Sequence, residues 1–459
     1  MEEKTVSRSS WSGKWAFILA AAASAVGLGN MWRFPYLAAK YGGGMFLITY
    51  LVLVVTFGFA LMMVETALGR KTGLSAIGAF GALKKKYRFI GVFQSIIPFI
   101  ITPYYCVIGG WVAKYAFAYL TAGPDALADG GGYFTSFIAG NYSSFFWMAV
   151  FVLLTCAVIF FGVKGGIERS NKILMPLLIG MALCISIYVM TMPGAFDGLK
   201  YYLVPDISKF SPELVIGAMG QMFYSLSLAM GIMVTYGSYM KKGDDLEHSV
   251  RRIEIFDTGI AFLAGLMIVP AAFVAMGSGE AVAESSGPSL MFIVLPQVFQ
   301  SFGGVATVLG FAFFLLVMFA ALTSAISLTE TCVSIVQDSL KSSRRRAFVI
   351  CTIYVLVAAT IVNLGYNDLS FIQPLGEGSS ILDFLDFISN SVMMPIASLM
   401  TCIFIGWIVK PKVIIDEVKL SSKFKSEGLF VVMIKYVAPV LVTIILIAYV
   451  AAQFGFFSM

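Results

Sequence analysis

Residues 23–35 read Ala-Ser-Ala-Val-Gly-Leu-Gly-Asn-Met-Trp-Arg-Phe-Pro, inside the first strongly apolar segment of the chain. Residues 16–26 have the composition of a membrane helix. Gly27, Gly29 and Asn30 then break the helical pattern at about mid-membrane depth, and Arg33 follows within one turn. Backbone without helical partners is tolerated in a bilayer only where it is buried in protein or lines a cavity. An arginine there costs at least ~2.5 kcal/mol unless it faces water or a partner. Broken helices with polar residues at the midplane are how transporters build their sites, so ligand is expected to bind here.

The rest of the chain agrees with a membrane setting. Of 459 residues, 59% are hydrophobic and 12% charged, and the mean hydropathy is +0.89. A soluble chain carries about twice that charge fraction. The net charge of +6 sits in alternate loops, which membrane topology explains better than a nucleic-acid partner. Six cysteines (106, 156, 184, 332, 351 and 402) lie in apolar segments without pairable spacing and read as small packing residues. A short polar start with Lys4, Arg8 and Lys14 leads directly into the first span, so no cleavable signal is expected.

Eleven spans are predicted: 15–38, 44–69, 88–122, 146–163, 169–193, 213–240, 253–277, 297–339, 347–364, 380–410 and 428–456. Loops around 84–88, 164–172, 241–252, 341–346 and 410–425 are basic, whereas 123–145, 278–296 and 365–379 lack Lys and Arg. The positive-inside rule then puts the N-terminus in the cytoplasm, and eleven crossings put the C-terminus outside. Pro103, Pro176 and Pro270 mark candidate kinks. A second break falls in the sixth span, where Ser225, Ser227, Gly220 and Gly231 punctuate an apolar run. Matching breaks five spans apart point to an inverted-repeat transporter with its site at the repeat interface. The fold expected is an all-α polytopic membrane protein, one domain over residues 1–459.

Six motifs in order, AVGLGNMWRFP (25–35), GGGMF (42–46), VETALGR (64–70), PYYC (103–106), GQMFYSLSLAMG (220–231) and LTSAISL (322–328), resemble the neurotransmitter:sodium symporter family, the group with the LeuT fold. The resemblance runs from Trp11 to about Cys402. It implies a 5+5 inverted repeat (helices 1–5 and 6–10), unwound helices 1 and 6, and a peripheral helix 11. It also implies two sodium sites. One uses carbonyls of Ala23, Val26 and Ala320 with hydroxyls of Thr323 and Ser324. The other uses the Ala25 carbonyl, the Asn30 side chain, Ser225 and a helix-7 residue, here Asp257. Uncharged oxygens suit a hard monovalent cation, although Ser and Thr in membrane helices most often bond back to their own helix.

For substrate, the resemblance implies a zwitterion cradle. Amides of Leu28 and Gly29 with Tyr105 would take a carboxylate; carbonyls of Ala25 and Tyr224 with the Ser227 hydroxyl would take an ammonium group. Monoamine carriers of the family have aspartate where this chain has Gly27, so the substrate here should bring its own carboxylate. Ile101, Tyr224, Met230, Ser324 and Leu328 would surround the side chain, beside Ser225, and a hydrophobic or aromatic amino acid is expected. Arg33 and Asp386 match the outer gate pair, with Tyr105 and Tyr224 as a lid. On the inner side Arg8 and Trp11 match a tail latch received by Asp338, Ser238 and Tyr239. Gly166 and Pro176 resemble a helix-5 signal for local unwinding.

Animal relatives bind chloride with residues that Tyr50, Gln221 and Ser225 match, but Asp257 and Ala261 replace an asparagine and a serine. A fixed carboxylate there would stand in for the anion, so chloride independence is expected, with proton counter-movement on Asp257. Glu65 is also expected to be buried, in a structural or ion-coupling role.

The reading is a sodium-coupled symporter of hydrophobic or aromatic amino acids in a bacterial cytoplasmic membrane. Its partners are an amino acid and the lipid bilayer, with no nucleic acid. Alternatives are an amine or osmolyte carrier, or a sensor of the same fold that binds without transporting. No filter motif suggests a channel. The single histidine, His248, lies in a loop, and no nucleophile, zinc or nucleotide motif suggests an enzyme.

Overall fold

An alanine-rich run with a single β-branched residue, Ile18, winds readily, and Lys14–Ala25 forms α1 in the computed structural model, which describes residues 10–285 and 287–453. The second half of the first span, Gly29–Lys40 (α2), departs from α1 at 55°. Then follow α3 (Gly44–Thr72), α4 (Lys85–Thr121), α5 (Tyr142–Phe160) and α6 (Val163–Met190). The second part of the chain holds α7 (Pro212–Ser225), α8 (Ile232–Gly237), α9 (Leu246–Met276), α10 (Gly303–Ser339), α11 (Arg344–Leu364), α12 (Ile381–Ile408) and α13 (Glu427–Gln453). Among the described residues there are no strands beyond a single bridge between Gly43 and Pro205.

Helix ends follow local chemistry. Ser211 caps α7 ahead of Pro212, and Asp245 caps α9 by accepting from the His248 amide. Ser380 and Asp383 form a capping box at α12. Lipid-facing positions carry large apolar side chains such as Phe89, Leu153, Ile187 and Val440, while Asn30, Glu65, Gln94, Gln221 and Asp257 are buried inside.

The number of continuous spans and one boundary differ from the sequence expectation. Nine continuous helices are long and apolar enough to cross a bilayer, and the bent α1–α2 pair makes a tenth. The predicted span 213–240 is seen as α7 and α8 on either side of a break, each too short to cross alone, so a count of eleven requires taking that pair together. The predicted span 297–339 begins later: Leu295–Gln300 is a separate short helix, and Gly303, at φ +61°, turns the chain into α10. At the start of α6, Val163–Glu168 forms a wide π-type turn, and the helix continues through Pro176.

Candidate functional site

The two broken helices face each other. α1 ends at Val26, whose extended ψ of 106° turns the chain outward. Beyond it the Gly27 amide donates to Asn30 Oδ1 (3.0 Å) and the Leu28 amide donates to the Tyr105 hydroxyl (3.2 Å). The break is therefore confined to residues 26–28, narrower than expected, because Gly29 and Asn30 already belong to the first turn of α2. Between α7 and α8, every second residue adopts a left-handed conformation: Ser227 (φ +53°), Ala229 (φ +62°) and Gly231 (φ +72°). Only glycine takes that conformation without strain. The Ala229 amide that this turn frees donates to Glu65 Oε1 (2.8 Å), which also accepts from Gln94 Nε2 (2.8 Å). Bridges join the breaks: Gln221 Nε2 donates to the Gly29 carbonyl (3.0 Å) and Ser227 Oγ to the Ser24 carbonyl (3.1 Å).

Between them lies a small cavity of about 30 Å³. Ala25, Leu28, Gly29, Ile101, Tyr105, Tyr224, Ser225, Ser227, Met230, Ser324 and Leu328, the whole expected substrate set, line it. So do Ser24, Gly27, Asn30 and Ile232. Ser24 and Ile232 were missed by the sequence reading, although each directly flanks a break. A Cβ on Gly27 would lie 2.6 Å from Ser324 Oγ and 2.8 Å from the Tyr105 hydroxyl oxygen, so no side chain fits there without displacement.

The cation candidates fall into two groups. Ser324 Oγ donates to the carbonyls of Ser24 (3.0 Å) and Val26 (3.1 Å), joining α10 to the end of α1. Thr323 Oγ bonds back to Phe319 and Ala320 in its own helix (3.1 and 3.0 Å), and Ala23 is buried alongside. In the second group Asn30 Nδ2 donates to Asp257 Oδ1 (2.8 Å) and to Ser225 Oγ (3.1 Å). Ser225 Oγ in turn donates to the Asp257 carboxylate (2.9 Å), and the Tyr50 hydroxyl reaches its other oxygen (3.3 Å). α9 thus turns Asp257 inward, onto Asn30, Ser225 and Tyr50. Neutral oxygens with one carboxylate suit a hard monovalent cation. Among the described residues no three His, Cys, Asp or Glu side chains gather as a metal cluster.

At one end of the cavity Tyr224 separates it from a second, smaller cavity that Arg33 also lines. The charges of Arg33 and Asp386 act on each other, but the two side chains make no direct ion pair here. Arg33 Nη2 donates to the Tyr449 hydroxyl (3.1 Å), while the Asp386 carboxylate accepts from Asn390 Nδ2 (2.6 Å). At the other end Trp11 is fully buried, its indole donating to the Tyr236 carbonyl (3.0 Å) and its amide to the Tyr239 carbonyl (3.1 Å). Asp338 accepts from the Ser75 amide (2.8 Å), Ser238 donates to the Thr235 carbonyl (2.6 Å), and Arg8 lies outside the described residues. Ser12 bonds Glu168 at the start of α6, a tail contact the sequence did not suggest.

The family model for sodium:neurotransmitter symporters matches residues 8–124 and 140–455. The chain belongs to this family. It is 31% identical to a sodium-dependent transporter of Haemophilus influenzae, named as uncharacterized, over 96% of this chain and 98% of that one. A similarly named protein of Methanocaldococcus jannaschii is 32% identical over 96% of this chain and 90% of its own length. Among solved structures, MhsT in complex with L-phenylalanine superposes with a TM-score of 0.85 at 34% identity, covering 96% of this chain and all of that chain. Membership makes the protein a sodium-dependent symporter of the LeuT fold and not an enzyme.

Proposed function

We propose that this symporter moves a hydrophobic or aromatic amino acid together with sodium, by alternating access and without chloride. The observation that carries the reading is Gly27, hemmed in by Ser324 and Tyr105 with no room for a side chain. With no carboxylate at that place, the cargo must supply its own. Phenylalanine bound to MhsT, a neighbour of the same fold, supports this reading.

In the proposed complex the carboxylate takes the Leu28 and Gly29 amides and the Tyr105 hydroxyl, replacing the present bond between Leu28 and Tyr105. Carbonyls of Ala25 and Tyr224 and the Ser227 hydroxyl receive the ammonium group. Ile101, Met230, Ile232 and Leu328 enclose the side chain, and Met230 lets the pocket re-pack around ligands of different shape. One sodium ion lies among Ala23, Val26, Ala320, Thr323 and Ser324, and another among Ala25, Asn30, Ser225 and Asp257. The fixed charge of Asp257 balances the second ion where relatives use an anion. Arg33 with Asp386 closes the outer side. Trp11 and Arg8, against Asp338, Ser238 and Tyr239, close the inner side. The whole chain acts as one membrane domain of two inverted repeats with α13 outside them, in a bacterial cytoplasmic membrane, N-terminus inside and C-terminus out.

Uptake of a labelled amino-acid panel into proteoliposomes, with sodium or potassium outside and chloride or gluconate as anion, tests this. Sodium-driven, gluconate-tolerant uptake of phenylalanine, leucine, tyrosine or tryptophan is expected. Binding without uptake would make the protein a sensor, and uptake of amines or osmolytes alone would overturn the Gly27 argument.

A further inference from the structure

Arg33 is held by a residue that belongs to neither repeat. Tyr449 projects from α13, and its hydroxyl accepts from Arg33 Nη2 at 3.1 Å. The same hydroxyl rests on α7 at Gly220: a Cβ built there would lie 1.7 Å from the Tyr449 oxygen and 3.3 Å from Arg33 Nη2. Arg33, Gly220, Tyr224, Asn390 and Tyr449 line one cavity, above the Tyr224 ring. Asp386 is near enough for its charge to act on the guanidinium but makes no direct contact with it; it accepts instead from Asn390, which also donates to the Tyr104 hydroxyl (3.2 Å). Each member of the charged pair is thus occupied by a neutral partner, and the two neutral partners come from different helices.

We propose that Tyr449 is a positioning residue of the outer gate: its hydroxyl holds Arg33 disengaged from Asp386, so that α13 takes part in setting how readily the gate closes. The proposal rests on reading Arg33 and Asp386 as that gate. Closure is then an exchange of partners, in which the guanidinium leaves a neutral hydroxyl for a carboxylate. In both arrangements the arginine keeps a hydrogen-bond acceptor inside the membrane. A hydrogen bond to a charged group biases such an equilibrium by roughly fivefold or more, so removing it should favour the closed gate.

The test reads the gate without any cargo. Ser391 lines the same cavity, and Ser391→Cys in sodium-containing proteoliposomes reports access through its rate of alkylation by a charged thiol reagent, corrected for the same chain without that cysteine. Tyr449→Phe keeps the ring against Gly220 and removes only the hydroxyl; it should slow alkylation about fivefold. Gly220→Ala, which displaces the hydroxyl with Tyr449 intact, should slow it in the same direction. In an Asp386→Asn background both effects should vanish, because the exchange has lost its charged destination. An unchanged or faster rate in Tyr449→Phe, or slowing that persists in Asp386→Asn, would overturn the proposal. Failure of phenylalanine uptake would bear on the substrate reading and leave this readout untouched.

Discussion

At Gly27 a single added methyl group would lie 2.6 Å from one hydroxyl oxygen and 2.8 Å from another, nearer than carbon and oxygen approach without movement. Gly27→Ala should therefore weaken phenylalanine binding at least tenfold while leaving a monodisperse, folded protein, as measured by equilibrium binding and size-exclusion chromatography. Asp257 is surrounded by Asn30, Ser225 and Tyr50, all at hydrogen-bonding distance from its carboxylate. Asp257→Asn keeps the shape and removes the charge. Uptake in gluconate should fall at least tenfold and recover in part when chloride is supplied, which the anion-substitution assay measures directly. Most of these residues were legible in the sequence because the breaks that expose them are written in glycine, serine and asparagine. Asn30 is the exception in detail: its side-chain oxygen accepts from the Gly27 amide, so it braces the break in the first span as well as facing Asp257. Residue type names a donor or acceptor but not which neighbour takes it.

At the scale of elements, the turn between α7 and α8 places Ala229 at φ +62°, a conformation that costs an L-residue roughly 1 kcal/mol relative to glycine. Ala229→Gly should relieve that strain and raise thermal stability, with the bond from its amide to Glu65 retained; a thermal unfolding scan in detergent checks it. A second test concerns the far end of α3. Arg70 is buried there and donates from Nε to Glu417 Oε1 at 2.9 Å, and Lys242 reaches the same carboxylate at 2.9 Å. Glu417 lies in the short helix Lys412–Val418, between α12 and α13. Breaking a buried ion pair on one side costs about 3 kcal/mol, so Glu417→Gln should lower the unfolding midpoint markedly, and Arg70→Met with Glu417→Leu should recover part of the loss. Apolar runs and Gly or Pro punctuation gave most helices nearly to their ends. The π-type turn at Val163–Glu168 was not legible, since its hydrogen-bond register depends on what packs beside it rather than on its own composition.

For the whole molecule, sidedness and charge movement are the quantities to measure. If the N-terminus is inside as proposed, Tyr142 at the start of α5 faces outward and Lys423 between α12 and α13 faces the cytoplasm. An impermeant thiol reagent should label Tyr142→Cys in intact cells and Lys423→Cys only after permeabilisation. If two sodium ions accompany a zwitterion with no counter-ion, an inside-negative potential of ~100 mV contributes about 4.6 kcal/mol, ~2.3 per charge, or roughly a thousandfold accumulation. Steady-state accumulation against an imposed potential measures this, and a slope of one charge would mean a single ion or a returning proton. The sequence by itself determined the membrane class, the two breaks, most residues that line the cavity and the family motifs, because local composition fixes where a membrane helix can and cannot stay wound. Only the tertiary structure decided that Arg33 meets Tyr449, 416 residues away, and that Arg70 meets Glu417, 347 residues away. Such partners are set by how helices cross in three dimensions, and nothing in the spacing along the chain records that.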